Sequence, residues 1–231
     1  AQADRQRRSG VALMLSSTLP SSVSMMTTTM KITTTIDDSK IMKKIAIFAS
    51  GNGSNCENII KHFSQSEVAR VVLVVTNHPS AKVIERAKRL DTDISIVPKD
   101  SISDSSIMLP LLREKCIDLI VLAGFMLYIP SFLIDNYPHR IVNIHPSLLP
   151  KYGGKGMYGM HVHEAVKENN EKESGITIHF VNNEYDRGEI IAQYSTPVSP
   201  DDSAEEIAEK VHKLEYAHYP SIIEKIIREE A

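Results

Sequence analysis

The chain is poor in cysteine. Its only two, Cys56 and Cys116, lie far apart, with no CxxC pair and no His-rich partner. That excludes a disulfide framework and a thiolate zinc site, and it suits a reducing compartment. An excess of charge is also missing: 26 Lys and Arg stand against 29 Asp and Glu. A net charge of −3 offers no general surface for nucleic acid or an anionic membrane. No apolar run approaches the roughly 20 residues of a membrane span, so a cytoplasmic protein is expected. What remains is ordinary for a globular chain, with 42% hydrophobic and 24% charged residues over a length that suits one α/β domain or two small ones.

Residues 1–42 differ from the rest. They are rich in Ser, Thr, Arg and Met and nearly free of acids until Asp37, with no core pattern. The segment reads as a disordered leader of one of two kinds. It is either an organelle transit peptide, which would be Arg- and Ser-rich and acid-poor, or a tag or upstream extension ahead of Met42. The bacterial look of "MKKIAIF" favours the second. Residues 43–231 are expected to form a single domain.

Within that domain, apolar strand-like runs alternate with helical periodicity, the pattern of a parallel α/β sheet. Strands are expected at 44–50, 68–77, 93–99, 117–124 and 140–145, and helices near 54–64, 80–90, 105–116, 130–136 and 157–169. The grammar then changes. "SGITIHFVNNEYDRGEIIAQYSTPV" reads as two strands joined by a turn around 182–188. The fold class is therefore a doubly wound, mostly parallel sheet extended by an antiparallel strand pair. A capping box, Ser203 to Glu206, opens a long C-terminal helix whose buried stripe is Ile207, Val211, Leu214, Ile222 and Ile226. Pro220 is expected to kink or interrupt that helix.

Two features carry chemistry. The first is the glycine loop "SGNGSN" between the first strand and first helix, where doubly wound folds bind phosphate. Cys56 holds the third glycine position of a dinucleotide fingerprint, the second strand ends without an acid, and no Gly-Lys-Ser/Thr follows. NAD and ATP fit poorly. A single phosphate on the backbone N–H groups of Gly53, Ser54 and Asn55 fits, as does a plain turn capped by Ser54 or Asn55. The second feature is "NIHP", in which Asn143 and His145 share one face at the end of a buried strand. An amide beside a protonated imidazole can hold an oxyanion. An imidazolium there needs an anionic neighbour, and Asp186 in the turn "NNEYDRG" is the candidate.

Other polar residues have bland readings. His161 and His163 lie at i and i+2 without a suitably spaced third ligand, so no metal is expected. Thr177 and His179 share a strand face, lining the same cleft or facing solvent. Cys56 near a helix N-terminus lacks a base and reads as packing.

Together these residues resemble a known family. "SGNGSN", "LAGFM" (122–126), "NIHPSLLPKY" (143–152), "ITIHFVNNEYDRG" (176–188) and "LEYAHYP" (214–220) occur in the order and spacing of the phosphoribosylglycinamide formyltransferases, across residues 43 to about 228. The resemblance implies a Rossmann-like formyltransferase fold. It also implies transfer of the formyl group of 10-formyltetrahydrofolate, a co-substrate, to the amine of glycinamide ribonucleotide, without metal or covalent enzyme intermediate. By the same resemblance Asn143, His145 and Asp186 are catalytic. Gly53, Ser54 and Asn55 hold the phosphate, and Glu215 with His212 grips the ribose. Met126, Leu127, Tyr128 and Ile129, with Asn143 and the turn Asn182, Asn183, Glu184, Tyr185 and Asp186, receive the folate. Nucleic acid and membrane are not implied as partners, and monomer and homodimer both stay open. The chain departs from the family pattern at Leu127, where many members carry Arg, and in the longer, glycine-rich loop "YGGKGMYGMHVH". A formyltetrahydrofolate hydrolase would share the polar trio but use water as acceptor, and the glycine loop fits a phosphorylated acceptor better.

Overall fold

A computed structural model of the protein describes residues 42–229. The expected leader lies almost wholly outside the described residues. Seven strands form one sheet in the order β3-β2-β1-β4-β5-β6-β7. They are β1 (Lys43–Phe48), β2 (Ala69–Thr76), β3 (Asp93–Ile96), β4 (Leu119–Leu122), β5 (Ile141–His145), β6 (Glu173–Phe180) and β7 (Ile190–Pro197). The first five run parallel, and β6 and β7 add an antiparallel pair on the β5 side. The expected fold class is thus the observed one. The helices are α1 (Ser54–Phe63), α2 (Val83–Arg89), α3 (Lys99–Ile102), α4 (Ser105–Glu114), α5 (Ser131–Asn136), α6 (Met160–Glu168) and α7 (Ala204–Glu229).

Strand alternation creates two cores. Ile45 and Ile47 of β1 face one side, with Ile59 and Phe63 of α1, Val166 of α6 and Ile223 of α7. Ala46 and Phe48 face the other, with Met108 and Leu112 of α4 and Leu133 of α5. Both faces are covered, so β1 and β4 read as continuous apolar runs. Strand order reverses beside β1: β2 and β3 lie on one flank and β4 onward on the other. Such a switch point opens a crevice at the carboxyl ends of the strands.

Several boundaries move from the expected ones. The strand sought at 93–99 ends at Ile96, because Lys99–Ile102 already form α3. Helix α6 begins at Met160, since Gly156 and Gly159 take left-handed backbone angles just before it. The cap of α1 is Gly53 at φ 73° rather than the side chain of Ser54 or Asn55.

Helix α7 corrects one half of the reading of Pro220, the interruption. Its capping box forms in full: Ser203 N–H donates to Glu206 Oε2 at 2.7 Å, and Glu206 N–H to Ser203 Oγ at 3.2 Å. The helix then runs through Pro220 without interruption. A proline there removes the N–H that would serve the Tyr216 carbonyl, at a cost of about 3 kcal/mol in an ordinary helix. Asn58 of α1 replaces it, donating Nδ2–H to Tyr216 O at 2.9 Å. Leu214 and Ile222 are only half-buried; Tyr219, Ile223 and Ile227 complete the buried stripe instead. The Tyr219 hydroxyl donates toward the Leu122 and Val142 carbonyls, at 2.9 and 3.2 Å, tying α7 to the ends of β4 and β5.

Candidate functional site

A cleft of about 910 Å³ opens at the carboxyl ends of β1, β4 and β5. Its walls are the glycine loop after β1, the segment after β4, the end of β5, the loop into α6, the turn after β6 and the middle of α7. Every residue expected at the site lines it except Asn183. Asn183 has another part: its carbonyl accepts the Tyr128 hydroxyl at 2.8 Å, tying the loop after β4 to the turn.

The end of β5 holds the polar cluster. Antiparallel pairing sets Asn143 opposite His179 and His145 opposite Thr177. His179 Nδ1 lies 2.8 Å from the Phe180 carbonyl, which can only accept, so Nδ1 carries the hydrogen. Nε2 is then an acceptor and receives the Asn143 amide N–H at 3.1 Å. Burial lowers the His179 pKa and keeps the ring neutral in that role. One hydrogen of the Asn143 amide is thereby fixed, and the second is free for a ligand.

His145 is arranged differently. Its Nε2–H donates to the Tyr152 carbonyl at 2.7 Å, and its Nδ1 stands 3.5 Å from Asp186 Oδ2. Both neighbours are acceptors, so a ring carrying both hydrogens can donate to each. Asp186 sits at φ 52° at the tip of the turn, mostly buried, and its Oδ2 accepts the Gly154 N–H at 2.8 Å. Its other oxygen is 3.8 Å from His179 Nε2. Gly188 lets this turn close: a Cβ there would stand 1.7 Å from the Phe180 carbonyl oxygen.

At the other end of the cleft, Gly53 caps α1 with no side chain on the first-turn N–H groups. A Cβ on Gly53 would lie 2.5 Å from Val83 Cβ, so loop and α2 meet where only glycine fits. Asn55 Nδ2 donates to Glu215 Oε2 at 2.8 Å, and His212 Nδ1 lies 2.9 Å from the same oxygen. That hydrogen bond raises the His212 pKa against the opposing effect of burial. Two buried polar atoms here have no protein partner, Asn55 Oδ1 and His163 Nδ1. The cleft thus presents amide, imidazole and carboxylate groups beside one another without a complete set of partners.

Between the two ends the wall is apolar and aromatic. Met126, Tyr128 and Tyr185 are exposed, and the two tyrosine rings meet edge to face at 5.1 Å. Ile129 is buried behind them. Ser50 Oγ accepts the Met126 N–H at 3.0 Å and fixes that loop. Such a wall suits a flat aromatic ligand with polar edges.

Some residues fall elsewhere. Thr177 is buried beneath the cleft, where its hydroxyl donates to the Ser147 carbonyl and accepts the Leu149 N–H and the Gln193 amide. His161 packs against the ring of Tyr158, a wall residue, but does not itself line the cleft. Among the described residues, no group of three His, Cys, Asp or Glu could hold a metal. Cys56 is fully buried, with its thiol pKa pushed up to about 12, as packing would have it. Sequence reasoning missed His163 as a wall residue and His179 as the partner of Asn143. Helical spacing from Val162 and Val166 signalled the burial of His163, but nothing signalled its orphaned nitrogen.

Residues 43–223 match the formyl transferase family. The chain is 41% identical over 194 residues to the chloroplastic phosphoribosylglycinamide formyltransferase of Arabidopsis thaliana, covering 81% of this chain and 66% of that one. It thus spans less than two thirds of that relative's length. The Bacillus subtilis phosphoribosylglycinamide formyltransferase is 38% identical, with 80% of this chain and 95% of that one covered. In structure, the glycinamide ribonucleotide transformylase 1 of Geobacillus kaustophilus superposes with a TM-score of 0.74 at 35% identity, over 81% of this chain and 100% of that one. The phosphoribosylglycinamide formyltransferase of Anaplasma phagocytophilum does so with the same TM-score at 32% identity, over 82% and 89%. The chain therefore belongs to the formyl transferase family. Within it, its relatives are the phosphoribosylglycinamide formyltransferases. No helix among the described residues is long and apolar enough to cross a membrane.

Proposed function

We propose that the protein transfers the formyl group of 10-formyltetrahydrofolate to the amine of glycinamide ribonucleotide, in purine biosynthesis. The observation that carries this reading is the joining, in one cleft, of a helix start at 53–55 without a side-chain cap with the Asn143, His145 and Asp186 cluster, across an apolar wall.

The ribonucleotide phosphate lies on the N–H groups of Gly53, Ser54 and Asn55, favoured by the positive end of α1. Glu215 and His212 take the ribose hydroxyls. The folate ring lies against Met126, Leu127, Tyr128 and Ile129 and the turn Asn182–Asp186. The acceptor amine attacks the formyl carbon, forming a C–N bond and pushing an electron pair onto the formyl oxygen. The free hydrogen of the Asn143 amide donates to that oxyanion, and the charged His145 ring beside it, held between the Tyr152 carbonyl and Asp186, adds a positive field at the same point. The carbon–nitrogen bond to the folate then breaks, and His145 supplies the proton the leaving nitrogen needs. Asp186 holds the charged ring and receives, through water, the proton lost by the amine. A cytoplasmic location is part of the proposal. Two plant relatives are named chloroplastic, and cell fractionation would decide the matter.

The test is tetrahydrofolate release from 10-formyltetrahydrofolate, followed by ultraviolet absorbance with and without glycinamide ribonucleotide. Release that requires the ribonucleotide is expected. Release without it would mean a hydrolase, and no release by folded protein would mean a binding protein.

A further inference from the structure

Behind the glycine loop, and outside the cleft, is a charged cluster that the mechanism above does not use. Glu57, in the first turn of α1, is 6% exposed. Three cations converge on it: Lys61 at 2.7 Å, Arg89 at 3.0 Å, and Arg86, whose Nη1 donates to Oε2. They hold its carboxyl down to about 2. A buried carboxylate so near a helix start would by itself repel an anion there; one negative charge against three positive ones leaves the cluster attractive instead.

Arg86 does more than neutralise. Its Nε–H donates to the Asn52 backbone carbonyl at 2.8 Å, and Nη2–H to the Asn52 side-chain oxygen at 3.1 Å. The same helix α2 places Val83 against Gly53, and the Val83 N–H donates to the Gly51 carbonyl at 3.2 Å. Each residue of the turn Gly51-Asn52-Gly53 is thus met by α2, and the guanidinium fork joins that turn to Glu57 on the helix it opens. The Gly51 and Asn52 carbonyls are drawn toward α2, and the Gly53 carbonyl accepts the Glu57 N–H at 2.9 Å inside α1, which leaves the N–H groups of Ser54 and Asn55 to face the cleft. The wall itself offers an anion a single Lys or Arg among the described residues, Lys155 on the loop before α6. Affinity for a phosphate must then come mainly from how the backbone donors are held.

We infer that Arg86 is a positioning residue for the phosphate of the acceptor, acting through Asn52 on one side and Glu57 on the other. This rests on the ribonucleotide reading of the cleft. Lysine cannot replace it, because an ammonium lacks the planar fork that grips Asn52 at two points while facing Glu57.

The test compares full-length wild type, Arg86→Met, Arg86→Lys and Arg89→Met, the last touching Glu57 but not the loop. Two quantities are read: the Kd of inorganic phosphate by calorimetry, and steady-state constants for both substrates. For Arg86→Met, phosphate Kd and ribonucleotide KM should rise together by about tenfold or more, with kcat within about threefold and donor KM unchanged. Arg86→Lys should fall between it and wild type, and Arg89→Met should stay within about twofold of wild type. The lysine variant keeps the charge and stem, so its rise is still read if the methionine variant fails to fold. Equal effects of Arg86→Met and Arg89→Met would overturn the inference in favour of plain charge. Unchanged phosphate Kd in Arg86→Lys and Arg86→Met, or no phosphate binding by wild type, would overturn it outright. Wild type that binds phosphate through Arg86 yet shows no ribonucleotide-dependent transfer would overturn the assigned reaction and leave the positioning role standing.

Discussion

Replacing Asp186 by Asn tests the chemistry of the cleft with little disturbance of the fold. Asn is nearly isosteric, and it tolerates the left-handed backbone that Asp186 adopts at φ 52°. Its amide oxygen can still accept the Gly154 N–H, so the contact between the turn and the loop before α6 survives. What disappears is the charge facing His145. At 3.5 Å, and with an effective dielectric constant of about 20, a carboxylate and an imidazolium attract by roughly 5 kcal/mol. Water at the cleft mouth and the amide dipole recover part of that. A loss of about 3–4 kcal/mol in the transition state remains, which is a fall in kcat of roughly 10²–10³-fold. The ribonucleotide phosphate and ribose lie on other residues, so its KM should stay within about threefold of wild type. The assay is tetrahydrofolate release at saturating donor across a range of ribonucleotide, with thermal melting as a check that the variant is folded. A folded variant whose kcat is within about threefold of wild type would refute the role of Asp186. A rise in ribonucleotide KM without loss of kcat would place it in binding instead.

Other predictions concern the supports of the site. His179→Ala should lower kcat by roughly tenfold with both KM values unchanged, because the Asn143 amide N–H loses the acceptor that orients it; His179→Gln, which keeps an acceptor, should recover part of the loss, and equal activity of the two would sink the idea. Tyr219→Phe should destabilise by about 1–2 kcal/mol in chemical denaturation, since its hydroxyl serves two carbonyls in the core; an unchanged midpoint would show those carbonyls have other partners. Glu215 raises the His212 pKa above its ordinary 6.5, so the pair adds stability that is full below that value and fades as pH rises through the folded one. The urea midpoint of Glu215→Gln should therefore lag wild type most near pH 6, with a gap that narrows toward pH 9; a gap independent of pH would argue against the charged pair.

Most of the fold was legible because the burial pattern of this chain is simple. Strands covered on both faces must be largely apolar, and β1, β2 and β4 announce themselves by their apolar runs, while β5 is marked by an apolar run that Asn143 and His145 break. The helix start at Ser203 was equally plain, since a capping box is a local device whose two hydrogen bonds depend on nothing distant. That Pro220 leaves the helix uninterrupted was illegible for the opposite reason. Whether a proline breaks a helix depends on what happens to the carbonyl one turn earlier, and here its partner is Asn58, far away in sequence. A double-mutant cycle would measure this directly. Asn58→Ala should cost about 0.5–1 kcal/mol in wild type and less in a Pro220→Ala background, where the restored N–H serves the same carbonyl.

The site was legible as a set of residue types and illegible as a set of roles. Alternation along β5 placed Asn143 and His145 on one face, and a turn of seven residues was short enough to bring Asp186 over the strand end. Which histidine does what is another matter. A ring nitrogen donates or accepts according to its neighbour, and the neighbours of His145 and His179 are two backbone carbonyls, of Tyr152 and Phe180. Backbone carbonyls leave no trace in a sequence. The Phe180 carbonyl makes His179 an acceptor, and so a support for Asn143. The Tyr152 carbonyl occupies Nε2 of His145, and so turns Nδ1 toward Asp186. Two histidines of the same sheet face thus acquire opposite functions from peptide groups that any residue could supply. Substituting the side chain of Tyr152 should therefore perturb His145 far less than a change in the path of the loop that carries its carbonyl, such as deletion of Gly153, which would move that oxygen off Nε2. If removing the Tyr152 side chain lowered kcat as much as that deletion did, the carbonyl would not be what orients the ring.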